Sequence, residues 1–96
     1  MLEFDPAIVR RLTQQSDRGH LAELPDGGRV LIRAVRAAWT SELTPCQKRY
    51  MLLYYRDLHT MQESADFYGV NVGTVSRTLT RARNRLRRVI RYYLAR

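Results

Sequence analysis

Arginine and hydroxyl side chains alternate with apolar ones near the end of this chain. The stretch "NVGTVSRTLTRARNRLRR", residues 71–88, places arginines among threonines and a serine on a regular apolar spacing. An arginine guanidinium can donate paired hydrogen bonds to guanine N7 and O6, and it also binds phosphate oxygens. The chemistry open to this stretch is therefore recognition of a polyanion, provided that a folded element holds these side chains in one orientation.

The net charge of +8 lies entirely in the last quarter of the chain. Residues 1–71 contain nine acidic and nine basic side chains, whereas residues 72–96 contain no acid and eight arginines, which are Arg77, Arg81, Arg83, Arg85, Arg87, Arg88, Arg91 and Arg96. Repulsion among these arginines opposes folding. A charge of one sign is commonly retained because nucleic acid or an anionic membrane surface neutralises it. The alternative, a merely solvated charged face, usually mixes both signs.

The composition gives little support for an enzyme, a metal-binding protein or a membrane protein. A chain of 96 residues has room for one domain with a modest core, and its carboxylates are dispersed, so we expect no enzyme activity and no cofactor. One cysteine and the scattered His20 and His59 do not supply a credible metal site, and Cys46 is expected to be a small buried residue. No apolar run approaches the roughly 20 residues that span a bilayer, and no signal peptide is recognisable, so the expected location is cytoplasmic.

The elements that would position the arginines are all predicted to be helices. Asp5 as N-cap and Pro6 as the first helical residue predict a short helix over about residues 6–15. Apolar spacing predicts a second helix over about residues 29–39. The segments "SDRGH" and "LPDGG" between them are predicted turns.

A third helix is predicted to form the centre of the core. Thr44 and Gln47 have the spacing of a capping box, with Pro45 in the first turn, so the helix begins there. Apolar side chains on more than one of its faces predict that it continues to about Leu58 and is largely buried.

The last two helices form a helix-turn-helix pattern. Thr60 and Glu63 have capping-box spacing, and Gly69 ends a short helix as a residue that can adopt positive φ. Asn71 then caps a long basic helix from Val72 to about Tyr93. No run has the period of a strand, so the predicted fold class is all-α with about five helices.

At these residues the chain resembles a known family. The run "LTPCQKRYMLLYYRDLHTMQESADFYGVNVGTVSRTLTRARNRLRR", residues 43–88, resembles region four, the C-terminal promoter-reading domain, of bacterial sigma-70 family RNA polymerase sigma factors. The most specific pieces are the opening "LT", "LLYY", the "YGV" at the turn and "VGTVSRTLTRARNRLR". The likeness needs no gaps and covers 46 of the 96 residues. It implies a helix-turn-helix domain of the winged helix-like, sigma region 4-like type.

The resemblance divides the chain near residue 43. Residues 43–96 would be the region 4-like domain, and residues 1–42 would be an N-terminal helical extension. A complete sigma factor also has an upstream domain that melts the promoter, and 42 residues are too few to hold it. We therefore expect that this chain does not act as a whole sigma factor.

Three positions depart from the usual family pattern. The family usually has a large aliphatic residue at Ser64, a glycine at Leu58 and a leucine at His59. We expect the gap that Ser64 leaves between the two helices to be filled by a neighbouring large side chain, one of Met61, Phe67 and Tyr68.

Helical periodicity separates the core-facing side of the last helix from its outer side. The residues expected to face the core are Val75, Leu79, Ala82, Leu86, Val89 and Tyr93, with Val70 packing beneath the turn. The predicted base-reading residues are Thr74, Ser76, Arg77, Thr80 and Arg81. The predicted contacts to the DNA backbone are Thr60, Gln62, Gly73, Arg83, Arg85, Arg87 and Arg88. Trp39, Tyr92 and Tyr93 could stack on bases, but residues at the edge of the core are the favoured reading.

Three hypotheses about function remain open. The first is a sequence-specific double-stranded DNA-binding transcription regulator. The second is a protein that docks on RNA polymerase core, either as the partner of a split sigma factor or as an inhibitor. The third, RNA or anionic-membrane binding, is weakest for membranes because the core needs the apolar face. A recognition helix reads few base pairs, so a homodimer or a polymerase partner would add specificity.

Overall fold

The computed structural model describes residues 2–14, 24, 26 and 28–94. Its five α-helices are α1 (Ala7–Gln14), α2 (Arg29–Glu42), α3 (Pro45–Met51), α4 (Met61–Tyr68) and α5 (Val72–Leu94), with a π-helical turn at Leu52–Arg56 after α3. No strand occurs within these ranges, so the all-α prediction is confirmed and no wing accompanies the described helix-turn-helix. The predicted turn at "SDRGH" lies outside the described residues.

The start of α2 is fixed by an acidic side chain in front of it. Both carboxylate oxygens of Asp26 accept amide hydrogen bonds, at 3.0 Å from Gly28 N and 2.9 Å from Val30 N. The bond from Val30 is the main cause of the lowered pKa of Asp26. The helix continues to Glu42, three residues beyond the predicted end at Trp39. No residue between Trp39 and Glu42 stops α2, because the next conformational restriction along the chain is the one that Pro45 places on Thr44.

The third helix begins at the predicted capping box but ends differently. Gln47 N donates to Thr44 Oγ1 at 3.2 Å, and Thr44 N donates to Gln47 Oε1 at 2.9 Å. A continuous α-helix to Leu58 was the expectation, and it is wrong, because the backbone widens into the π-helical turn. There the amide of Asp57 bonds the carbonyl of Leu52, five residues earlier, at 3.0 Å.

The π-helical turn directs three side chains into the core. Leu52, Leu53 and Tyr55 are all buried, as predicted for a helix with apolar residues on more than one face. Leu58 then adopts φ 60°, and the amide of His59 bonds Leu53 O at 2.9 Å. The region 4 pattern usually has glycine at this position, and only glycine adopts positive φ without a steric cost.

One hydrophobic core is shared by the helices on both sides of residue 43. Residues from α1 (Ile8), α2 (Val35, Trp39), α3 (Met51) and α5 (Leu79) are buried in it. The indole nitrogen of Trp39 donates to Leu2 O at 3.0 Å, which ties the start of the chain to α2. The division of the chain into an extension and a domain remains a prediction.

The long helix α5 packs against the rest of the molecule along one apolar stripe. The predicted core residues Val75, Leu79, Ala82 and Leu86 are fully buried. Ile90, which the sequence interpretation omitted, is buried too, whereas Val89 and Tyr93 pack only partly against the core.

One expectation about the α4–α5 contact is wrong, and one of three alternatives for another is excluded. Val70 was expected beneath the turn, but it is 37% exposed. The amide of Val70 bonds Ala65 O at 2.9 Å and closes α4. Gly69, at φ 64°, turns the chain just before Val70, so the Val70 side chain lies on the outer side of the turn. Phe67 does not fill the space beside Ser64, because its side chain is 65% exposed.

Ser64 is fully buried in that contact, and its Oγ has no hydrogen-bond partner among the described residues. Of its proposed neighbours, Met61 packs against the core. The ring of Tyr68 contacts the ring of Tyr50 edge-on at 5.3 Å between centroids. A small polar residue thus occupies a position at which region 4 domains usually have an aliphatic one.

We predict that Leu58→Gly stabilises the fold by about 1 kcal/mol. Removing the left-handed strain gains about 1–2 kcal/mol, and the greater freedom of glycine in the unfolded chain offsets part of this gain. The side chain of Leu58 is 59% exposed, so its loss costs little buried area. Thermal unfolding followed by circular dichroism measures the difference. Leu58→Ala is the control because it retains Cβ, and equal stability of the two variants would contradict the prediction.

Candidate nucleic-acid interface

The helix-turn-helix consists of α4, residues 69–71 and α5. At the start of α4, Glu63 N donates to Thr60 Oγ1 at 3.0 Å and Thr60 N donates to Glu63 Oε1 at 2.8 Å. Gly69, at φ 64°, ends this helix. The side chain of Asn71 then accepts a 2.6 Å hydrogen bond from Gly73 N and so caps α5. These local bonds fix both helix starts and hence the angle at which α5 leaves the turn.

The five predicted base-reading residues all lie within the first three turns of α5. Arg77, Thr80 and Arg81 are exposed, while Thr74 and Ser76 are half-buried. Because the side of α5 that carries Val75 and Leu79 is fully buried, the exposed residues lie on the solvent side of the helix.

Two hydroxyl groups in this region already donate to the protein. Thr80 Oγ1 donates to Ser76 O at 2.8 Å, and Thr78 Oγ1 donates to Thr74 O at the same distance. A hydroxyl that donates internally keeps its lone pairs, so Thr80 presents an acceptor to solvent. Base amino groups and ordered water are the donors that such an acceptor would suit.

Gly73 lets the Arg77 guanidinium lie close to the helix. A Cβ at Gly73 would be 3.0 Å from Asn71 Oδ1 and 3.2 Å from Arg77 Nη1. The other terminal nitrogen, Arg77 Nη2, is 3.5 Å from Thr74 Oγ1. The guanidinium is thus held over the first turn of α5, where the unpaired amides of a helix start also favour anions.

The predicted backbone-contacting arginines of α5 have different surroundings. Arg85 and Arg88 are exposed, and Arg85 Nη1 is 4.0 Å from the Glu42 carboxylate. Arg83 and Arg87 are half-buried, and Arg83 Nη1 donates to the hydroxyl of buried Tyr55 at 3.3 Å. Arg83 therefore joins α5 to the π-helical turn as well as carrying charge.

The two predicted contacts on α4 are exposed at the start of that helix. The side chain of Thr60 is part of the capping box, and Gln62 Nε2 donates to Asp66 Oδ1 at 2.9 Å. The same face carries the carboxylates of Glu63 and Asp66, which oppose a nearby phosphate. The structure thus separates a basic surface on α5 from a more acidic one on α4.

The predicted site omits several exposed residues of α5, and one side chain elsewhere was misplaced. Val72, the first residue of the helix, is 42% exposed, and Asn84 and Arg91 are exposed further along. Their places on the outer side of the helical period were the signal that could have identified them. Cys46 is exposed, not buried, because it lies on the outer side of the first turn of α3. Trp39 is buried, as expected for a core residue and not for a stacking platform.

The described ranges contain neither a metal-binding cluster nor a membrane-spanning helix. There, no group of three or more His, Cys, Asp or Glu side chains is placed to hold a metal ion. In the same parts of the chain, no helix is both long and apolar enough to cross a bilayer.

Comparison with known proteins gives one match. The family model described as "Sigma-70, region 4" matches residues 39–88, just over half of the chain. The match includes α3, the π-helical turn, α4 and α5 up to Arg88, so it contains every predicted base-reading residue. A search of curated proteins and a search of solved structures each found no match.

We predict that the helix-turn-helix loses stability in acid through Glu63. The hydrogen bond from the Thr60 amide holds the pKa of the Glu63 carboxyl below its ordinary value, which is about 4.3. A lowered pKa stabilises the folded state above about pH 4.3, and this stabilisation is lost as the pH falls through the folded-state pKa. Glu63→Gln keeps a capping acceptor without a titrating group, so its thermal stability should fall less between about pH 5 and pH 3.

Glu3→Gln is the control for this measurement, because Glu3 is exposed and lies outside the capping box. The prediction fails if Glu63→Gln and Glu3→Gln have the same pH dependence in thermal unfolding.

Proposed function

The chain belongs to the sigma-70 region 4 family of DNA-binding helix-turn-helix domains, and from this premise we propose that it is a sequence-specific double-stranded DNA-binding regulator of transcription. In this proposal α5 is the recognition helix, and its first turns enter the major groove. Helix-turn-helix proteins place the N-terminal residues of their second helix against base edges, which matches the position of the exposed arginines.

One observation carries the proposal. α5 is held to the core by a fully buried apolar stripe, while Arg77 and Arg81 extend from its solvent side within the first three turns. The two guanidinium groups are four residues apart, so they lie on neighbouring turns of one face. Each has the donor geometry for guanine O6 and N7. Thr74, Ser76 and Thr80 would add short-range contacts to bases beside them.

The remaining arginines would supply attraction that does not depend on base sequence. Arg85, Arg87 and Arg88 follow the base-reading turns, and no acid on α5 opposes them. Arg83 uses one of its donors on Tyr55, which leaves others for a phosphate. We propose the same role for Gly73, whose missing side chain lets a phosphate approach the helix start. Thr60 and Gln62 would contact phosphate from the start of α4, where the carboxylates of Glu63 and Asp66 make the contact weaker than those of the arginines.

Arg77→Ala and Arg88→Ala should separate base reading from phosphate attraction. Both side chains are exposed, so both variants should fold. Arg77→Ala should reduce discrimination at one guanine position by about 1–3 kcal/mol. Arg88→Ala should weaken binding to all duplexes alike and lower the slope of log affinity against log salt by about 1. Selection from a randomised duplex pool, followed by titrations at several salt concentrations, measures both effects.

The outcome that contradicts base reading is equal binding of all pool sequences by the wild-type chain.

A pool selection also tests for a second copy of the chain. Two inverted half-sites about 10 base pairs apart would indicate a homodimer, whereas a single element would indicate that specificity is completed by another partner.

A second candidate function is docking on RNA polymerase. The family match includes α3 and the π-helical turn, which lie outside the basic segment, and region 4 domains bind RNA polymerase as well as DNA. Arg49 and Cys46 are exposed on α3, so this helix has a surface separate from the arginines of α5. We propose that this surface contacts the polymerase while α5 binds DNA.

Pull-down with purified polymerase core tests the docking surface. We expect a complex with the wild-type chain and with Arg77→Ala, and a weaker one with Arg49→Glu, because only the last variant changes α3. If no complex forms at low salt, or if Arg77→Ala and Arg49→Glu lose binding equally, the proposal of a separate docking surface on α3 is wrong.

A further inference from the structure

A cavity of about 310 Å³ lies where α1 meets the turn before α4. Its wall is formed by α1, the π-helical turn and residues 58–60, and the residues that line it are Arg11, Tyr54, Tyr55, Leu58, His59 and Thr60. Arg11, Leu58 and Thr60 are exposed, so the cavity opens to solvent. A group that enters it can therefore remain attached to a larger molecule outside.

The wall of this cavity carries positive charge and hydroxyl groups. Among the described residues no carboxylate pairs with Arg11, so the N–H donors of its guanidinium are available to a ligand. Tyr54 and Thr60 are hydroxyl-bearing residues of the wall. The hydroxyl of Tyr55 accepts a hydrogen bond from Arg83 Nη1 at 3.3 Å, so a second guanidinium lies beside the same wall. Guanidinium and hydroxyl donors together suit a phosphate group.

The acidic side chains closest to this segment in sequence are held by other groups. Asp57 accepts hydrogen bonds from Arg56 on both carboxylate oxygens, at 2.9 and 3.1 Å. The carboxylate of Glu63 accepts the amide of Thr60 at 2.8 Å. Neither acid lines the cavity. Arg11 thus brings a positive charge to the start of α4, where α4 itself carries only acids.

The position of the cavity in the helix-turn-helix indicates which phosphate would enter it. In helix-turn-helix proteins the first helix of the motif crosses the DNA backbone while the second lies in the major groove. Here α4 is the first helix, and Thr60 belongs both to its capping box and to the cavity wall. A backbone phosphate that reaches the start of α4 therefore also meets Arg11.

We propose that Arg11 of α1 binds a backbone phosphate of the DNA in this cavity, beside Tyr54 and Thr60. The inference rests on the proposed DNA-binding function and adds to it a phosphate site on α1, which lies outside the residues 39–88 that match the family. The segment before the family match then takes part directly in DNA binding, in addition to its packing against the core.

Methylphosphonate substitution tests this site, because it removes the charge of one phosphate at a time. Each phosphate of a selected duplex is replaced in turn, and binding is measured by fluorescence anisotropy. The wild-type chain should bind less tightly when any of several phosphates is replaced. Arg11→Ala should bind the unmodified duplex about threefold to fivefold less tightly, as expected for a partly exposed ion pair. Its slope of log affinity against log salt should be lower by about 1.

At one of these phosphates the replacement should not weaken the binding of Arg11→Ala any further, because the contact is already lost. Arg10→Ala is the matched control. Arg10 is the neighbour of Arg11 on α1 and is exposed, but it does not line the cavity, so this variant loses the same charge and keeps the contact. It should bind more tightly than Arg11→Ala and remain sensitive at that phosphate.

Two results would overturn the inference while DNA binding stands. One is equal binding by Arg10→Ala and Arg11→Ala. The other is that Arg11→Ala remains sensitive at every phosphate at which the wild-type chain is sensitive. If the wild-type chain binds no duplex, both the inference and the proposed function are wrong.

Discussion

The rest of the structure depends on the burial of one apolar stripe on α5. Val75, Leu79, Ala82 and Leu86 are fully buried, although the same helix carries arginines and no acid. Like charges spaced four residues apart destabilise an isolated helix. Burial of apolar area, at about 25 cal/mol per Å², must therefore hold α5 in place. The arrangement of α2, α3 and α4 against this stripe leaves the arginines on the outside.

The connection from α3 to α4 has a local cost in free energy that the core offsets. The π-helical turn buries Tyr55, whose hydroxyl then accepts a hydrogen bond from Arg83 on α5. Leu58 adopts positive φ so that the chain can turn into α4. Beside this turn, His59 Nδ1 and Ser64 Oγ are buried and have no hydrogen-bond partner within the described part of the chain. Each such atom costs about 1–3 kcal/mol, so α4 is held in position mainly by packing.

Charge and shape have separate roles in the proposed interaction with DNA. The positive charge of residues 72–96 acts over about a Debye length and attracts any phosphate backbone. Base recognition instead requires side chains fixed to within a fraction of an ångström, which the capped and buried first turns of α5 provide. A bound polyanion would also relieve the repulsion among the arginines. Binding and folding of α5 are therefore expected to stabilise each other.

The sequence by itself determined the helical class, the helix-turn-helix and the starts of three helices, because caps such as Thr44, Thr60 and Asn71 act on amides only two or three residues away. It also identified most of the buried stripe of α5, since helical periodicity is local. The base-reading assignments remain predictions, because they concern a partner that the fold alone does not contain. Only the tertiary structure decided the π-helical turn, the exposure of Val70, Phe67 and Cys46, and the contact of Arg83 with Tyr55. These features depend on packing between residues distant in sequence, where one hydrogen bond or buried side chain, worth about 1–2 kcal/mol, selects between otherwise similar backbones.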